Sequence, residues 1–261
     1  MPSPSLLKRD WKKDHVYLIQ FPRAGSIPSV SPYSLKLETW LRLCKIPFSN
    51  VSNEFTKKSA KGQVPFIELN GRQVADSNFI IENLKHEFKK DPDANLSATE
   101  KGQMTACSIC SRSRDNAWFA TDEGFAKHMG AIKLAVFKNL LLGRFKKSMA
   151  SACNIQGIGR HSQQEVEQIT KNALNSLELL IGNKPFFFGA NPTTLDITAF
   201  GHISQFLFPP QPSEEVKSHL HEKCPNLVRM LNRLKEDLWP DWKEATETVS
   251  LFTNEEKTDK K

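Results

Sequence analysis

Ser31-Pro32-Tyr33-Ser34 sets two hydroxyls three residues apart where a loop meets an apolar-periodic run. A helix starting there offers free N–H groups and the positive end of its dipole, a setting that favours an anion such as a thiolate. A hydroxyl donated to a sulfur lowers the thiol pKa, and the thiolate is the nucleophile. Ser31 is therefore a candidate catalytic residue, and Tyr33 could serve the same site if its hydroxyl turned inward. The same residues also describe a Ser N-cap followed by Pro at the first helical position. The two roles are compatible.

Gln63-Val64-Pro65 opens an apolar run that continues to Leu69. Proline is tolerated at the first position of a strand. A cis Val64–Pro65 bond, uncommon in general, would turn the Val64 backbone toward an extended peptide ligand. Asp76-Ser77 combines a carboxylate and a hydroxyl at a helix start, able to hold an ammonium and a carboxylate together. The alternative is that Asp76 is only an N-cap. Thr193-Thr194-Leu195-Asp196 is a hydroxyl-x-x-acid pattern directly before an apolar helix. Thr193 and Asp196 read as a variant capping box that serves folding rather than chemistry.

Two further motifs carry less. Cys107-x-x-Cys110 has no second Cys/His pair at zinc-like spacing, so no metal site is expected. Gly157-Ile158-Gly159-Arg160-His161-Ser162 does not follow a strand, which removes the dinucleotide reading. Arg160 and His161 would make it a cationic lid over an anionic ligand, or the loop simply links two helices.

These residues need elements to position them. Val16–Phe21 reads as a buried strand ending at Pro22, followed by a Pro/Ser/Gly loop. The spacing of Leu37, Leu41 and Cys44 predicts a helix over Pro32–Cys44. With Leu35, Trp40 and Leu43 around the rest of the turn, it should be buried on more than one side. A strand is expected near Asn50–Phe55, another over Val64–Leu69, and a third near Gln73–Ala75 after the Asn70-Gly71 hairpin turn. Asp76–Lys89 carries Ile80, Leu84 and Phe88 on one helical face. Residues 91–100 form a polar linker. Beyond it only helical periods recur: Val166, Ile169, Ala173, Leu177 and Leu180, then Leu195–Leu207 and Leu227–Leu238. The expected fold is α+β. A thioredoxin-like domain with a mixed four-stranded sheet spans 15–90, an all-helical bundle spans 101–245, and 246–261 is a disordered tail.

The chain has 261 residues, 39% apolar and 25% charged, the proportions of an ordinary globular protein. No stretch approaches the roughly 18 apolar residues of a membrane span, and the start lacks a signal-peptide core. Both points lead to an expected cytoplasmic location. Five cysteines in no framework spacing should then be free thiols. Residues 1–90 hold 15 Lys+Arg against 8 Asp+Glu, whereas 91–261 hold 21 of each. The surplus is scattered and lacks interleaved aromatics, which argues against a nucleic-acid groove and leaves either a solvated surface or an anionic small ligand.

Taken in order and spacing, the four motifs resemble the glutathione transferase superfamily. Ser31-Pro32-Tyr33-Ser34 is similar to a glutaredoxin active site with both cysteines replaced by serine. Gln63-Val64-Pro65 resembles the segment that pairs with the cysteinyl backbone of glutathione. Asp76-Ser77 resembles the acid–Ser pair that grips its γ-glutamyl group, and Thr193 with Asp196 resembles the superfamily's capping box. Phe21-Pro22-Arg23, SPYSLKLETWLR, QGIGRHS, KPFFFG, LDITAFGH, CPNL and WPDW further resemble the failed-axon-connections group. That group includes nematode cadmium-responsive proteins and is related to metaxins. Some of those relatives carry an N-terminal membrane anchor, and this chain is expected to have none.

The resemblance implies glutathione as co-substrate, bound by Ser31, Gln63, Val64, Pro65, Asp76 and Ser77. A small hydrophobic electrophile would lie between the domains, and conjugation or peroxide reduction would serve detoxification. It also implies a homodimer. With serine in both cysteine positions, thiol–disulfide exchange is not expected. The alternatives are a non-catalytic adaptor for protein partners and, more remotely, metal handling through glutathione.

Overall fold

The computed structural model describes residues 6–54, 56–111, 158–209 and 214–247, with single positions at 147, 151 and 154. Residues 248–261 of the expected tail, the side chains of Cys107 and Cys110, and Gly157 lie outside the described residues, whereas 246 and 247, expected in the tail, are helical. Contacts divide the chain into two units. One runs to Ala94 and resumes at Leu238; the other is Asn95–Asp237.

The first unit is built on β1 (Val16–Gln20), α1 (Pro32–Leu43), β2 (Phe48–Ser52), β3 (Phe66–Leu69), β4 (Arg72–Ala75) and α2 (Ser77–Phe88). The strands form one mixed sheet in the order β2-β1-β3-β4. β1 pairs parallel with β2, while β3 is antiparallel to both β1 and β4. Asn70 and Gly71, between β3 and β4, have φ of 48° and 75°. A tight hairpin whose twist matches its strands requires left-handed backbone at both central positions, which is why Asn-Gly signals it.

Side chains alternate across the sheet. On one face, Gln20 meets α1 through Glu38, and α1 packs in turn against α2. On the other face lie Tyr17, Ile19, Phe66 and Ala75, with Val51 against them. The described residues between β2 and β3 form turns and no helix. Residues 6–14 run along part of this second face as a strap. Glu68 accepts hydrogen bonds from the Leu7 and Lys8 amides at 2.8 and 2.9 Å. The Tyr17 hydroxyl accepts one from Lys12, and Asn70 accepts one from Asp14. The Trp11 ring lies on Gly71, where a Cβ would come within 3.3 Å of it.

Helix α1 buries nine of its twelve residues, so it is a core element on several sides, as its apolar spacing implied. It also buries a carboxylate. Glu38 is 0% exposed and receives both guanidinium nitrogens of Arg23 at 2.7 Å. Arg42, Gln20 and Asn50 complete its shell at 3.3, 2.8 and 3.0 Å. Burial pushes the Glu38 carboxyl up, but the charge and hydrogen bonds of Arg23, then Arg42, outweigh it and hold the group below its ordinary range.

Arg42 extends this network to a short C-terminal helix, α8 (Trp242–Glu247), and the residues before it. It forms a two-pronged pair with Asp241 at 2.6 and 2.8 Å and donates to the Leu238 carbonyl. Its guanidinium stacks 3.8 Å from the Trp239 ring centre, and the Trp239 indole donates to Thr39. Contacts therefore group Leu238–Glu247 with the sheet, whereas the sequence reading grouped residues to 245 with the helices.

The second unit contains α3 (Ala98–Ser111), α4 (Gln163–Ile181), α5 (Thr194–Leu207), α6 (Glu215–Lys223) and α7 (Pro225–Leu238, the last residue of which opens the returning segment). Helix α5 is its centre, with thirteen of fourteen residues buried. Helix α4 begins in a Ser162–Glu165 capping box. From α4, the Glu178 carboxylate accepts the Asn226 and Leu227 amides at 3.1 and 2.9 Å. It thereby caps the positive end of α7 from a neighbouring helix.

Glu38→Gln removes the charge that Arg23 and Arg42 were buried to meet. Breaking a buried pair from one side costs about 3–5 kcal/mol, read as a lower urea midpoint. Because the Glu38 pKa is lowered in the folded state, its contribution is present above the ordinary carboxyl range. It is lost as pH falls through the lowered value. The wild type should therefore lose its advantage over Glu38→Gln in acid.

Candidate functional site

The register brings the three N-terminal motifs to one end of the sheet. Ile19 pairs with Phe66, which sets Pro65 beside the C-terminal end of β1. Phe66 pairs with Ala75, so Asp76 follows on beside Pro65. Helix α1 joins two parallel strands and must start at the end where β1 finishes. Ser31, Val64-Pro65 and Asp76-Ser77 thus share an edge with two helix N-termini, where unpaired N–H groups favour anions.

Ser31 is the N-cap of α1 and 5% exposed. Its Oγ accepts the Ser34 amide at 3.3 Å, and its own amide donates to Ser29 Oγ. A hydroxyl that accepts a cap bond keeps its proton to donate elsewhere. Capping and thiolate stabilisation can therefore coexist at this atom. The loop before it is anchored by Arg23, which donates to the Pro28 carbonyl while paired with Glu38.

The Val64–Pro65 bond is cis, Val64 is half-buried and Gln63 is exposed. Gln63 is pinned to Ser59, donating to its Oγ and accepting from its amide. Asp76 caps α2 by accepting the Asn78 amide at 2.9 Å. Its φ of 77° is a left-handed setting for a residue with a side chain. Such strain costs on the order of 1–3 kcal/mol and gathers at functional sites. Ser77 is buried beside it, and Tyr33 is half-buried in the first turn of α1.

The remaining candidates belong to the helical unit. Arg160 and His161 are exposed ahead of α4, with His161 3.8 Å from Glu165. Thr193 and Asp196 meet at the start of α5. The Thr193 amide and hydroxyl both donate to Asp196, at 2.8 and 2.7 Å. The other Asp196 oxygen accepts the Phe187 amide at 2.8 Å. This ties the KPFFFG turn to the helix. Burial raises the Asp196 carboxyl above its usual range despite these donors.

The buried thiols are packing groups. Burial, with Asp93 nearby, pushes Cys44 up to about 12. Burial and Glu178 push Cys224 up to about 11. Neither is a thiolate at neutral pH. Among the described residues no group of three or more His, Cys, Asp or Glu is placed to hold a metal. No described helix is long and apolar enough to cross a membrane.

Residues 32–114 match the glutathione S-transferase N-terminal domain and 170–234 match the glutathione S-transferase C-terminal domain. The chain belongs to the glutathione S-transferase family. Over 94% of its length it is 35% identical to Failed axon connections of Drosophila melanogaster, and it spans 63% of that relative. It is 27% identical to an isoprene-epoxide–glutathione S-transferase of Rhodococcus, covering 81% of this chain and 94% of the other. Identity to a metaxin-1 homologue of Caenorhabditis briggsae is 26%, over 81% and 70%. Among solved structures, a glutathione S-transferase of Ceriporiopsis subvermispora in complex with glutathione shares the fold, with TM-score 0.58 at 14% identity over 85% and 96%.

Sequence reasoning missed Lys36, Glu38 and Asn78, which fix these motifs in place. The available signal was a pair of opposite charges inside a helix whose apolar residues already surround it. Asp196→Ala should orphan the Phe187 and Thr193 donors, at about 1–3 kcal/mol for a buried unsatisfied group. A lowered urea midpoint is the expected reading.

Proposed function

We propose that this glutathione S-transferase-fold protein binds reduced glutathione at the shared edge of Ser31, Val64 and Asp76, and stabilises its thiolate for attack on electrophiles or peroxides. The observation that carries the reading is the grouping of these three motifs at one sheet end under two helix N-termini. The γ-glutamyl ammonium would face Asp76 and its carboxylate Ser77. Main-chain groups of Val64 would pair with the cysteinyl unit, with Gln63 and Pro65 flanking it. The thiolate would accept a hydrogen bond from the Ser31 hydroxyl, which keeps its proton, and the sulfur of glutathione, not the serine, would be the nucleophile. The transferase name of the Rhodococcus relative supports a working site. A cytoplasmic homodimer acting on small hydrophobic electrophiles completes the proposal.

A second reading is a non-catalytic adaptor that keeps the fold and binds protein partners. It is favoured by the 35% identity to Failed axon connections, whose name states no reaction, and by a Ser31 hydroxyl that is nearly buried and engaged in a cap.

Calorimetric titration with reduced glutathione separates the two. Binding at about millimolar Kd or tighter is expected, weakened about tenfold in Asp76→Ala, which corresponds to roughly 1.4 kcal/mol. Ser31→Ala should bind glutathione but raise the pKa of its thiol, followed by thiolate absorbance. No heat at millimolar glutathione would remove the ligand site and leave the adaptor.

A further inference from the structure

Lys36 lies on α1 and is only 3% exposed. Lysine is almost never buried to this degree unless its ammonium has partners. Its Nζ donates to Asn78 Oδ1 at 2.6 Å, and Asn78 is the second residue of α2. The Asn78 amide in turn donates to Asp76 Oδ1. Asn78 therefore joins one line from α1 to the N-cap of α2: its side-chain carbonyl accepts from the Lys36 ammonium and its backbone N–H donates to the Asp76 carboxylate, with Ser77 between Asp76 and Asn78 in sequence. Both ends of the line are charged, and they are held apart by a neutral group. An α-amino-acid headgroup carries the complementary arrangement, an ammonium and a carboxylate on one carbon.

We infer that Lys36, acting through Asn78, is the positioning residue that makes the Asp76–Ser77 turn selective for an α-amino-acid headgroup over one lacking its carboxylate. The inference rests on the glutathione reading above and deepens it. Lys36 orients the first turn of α2 and supplies the positive potential that the ligand carboxylate meets at Ser77. Asp76 supplies the negative potential for the ligand ammonium.

The test compares glutathione with its analogue in which the γ-glutamyl α-carboxylate is a carboxamide, titrated calorimetrically into the full chain. Wild type should prefer the carboxylate form by about ten- to a hundredfold, the worth of a hydrogen bond to a charged group. In Lys36→Met the preference should collapse toward unity, and Lys36→Arg should restore most of it. A purely structural lysine would weaken both ligands alike and leave their ratio unchanged, which would overturn the inference. Circular dichroism checks that Lys36→Met folds. If it does not, Asn78→Ala carries the test: a reduced ratio supports the inference and a wild-type ratio overturns it. Wild type binding neither ligand sinks the glutathione reading itself. Wild type binding both equally sinks only the role of Lys36.

Discussion

The Glu38 carboxylate is the point on which the sheet unit converges. Five donor groups reach it from β1, β2, α1 and the loop ahead of Ser31. A buried ion pair is weak evidence of net stability, because desolvation consumes most of the Coulombic gain. What such a network does well is specify: only one arrangement satisfies every member, and a partly satisfied one is costly. Arg23 is fixed by Glu38 and in turn holds the Pro28 carbonyl. The position of the Ser31 cap thus follows from a carboxylate seven residues further along α1.

Much of this fold was legible in local sequence. Strand and helix order came from hydrophobic periods, and the β3–β4 turn came from Asn70-Gly71, because its backbone demand is local. The cap positions of Ser31, Asp76 and Thr193 were visible for the same reason. What stayed hidden was pairing at a distance. Nothing in the spacing of Arg42 and Asp241, 199 residues apart, announces that they meet, so α8 was grouped with the helices that precede it. Lys36 was hidden differently. Its neighbours Leu35 and Leu37 mark α1 as buried, and a charge among them is an anomaly whose partner, Asn78, only the tertiary fold reveals.

With serine at 31 and 34, the covalent thiol chemistry of a dithiol motif is gone. The helix terminus, the Asp76 turn and the Val64 segment present polar groups but no nucleophile of their own. Fold alone does not decide between a working transferase and an adaptor. That decision rests on whether these retained groups still meet a ligand.

The return of Leu238–Glu247 to the first unit has a meaning for how the molecule is made. A ribosome finishes Thr39 and Arg42 long before Trp239 and Asp241, about ten to forty seconds earlier at ordinary elongation rates. Throughout that interval the nascent sheet lacks the indole and carboxylate that cover one side of α1. The whole helical unit must be synthesised before they arrive. The covered state of α1 in the first unit therefore cannot be reached until the second unit has been synthesised.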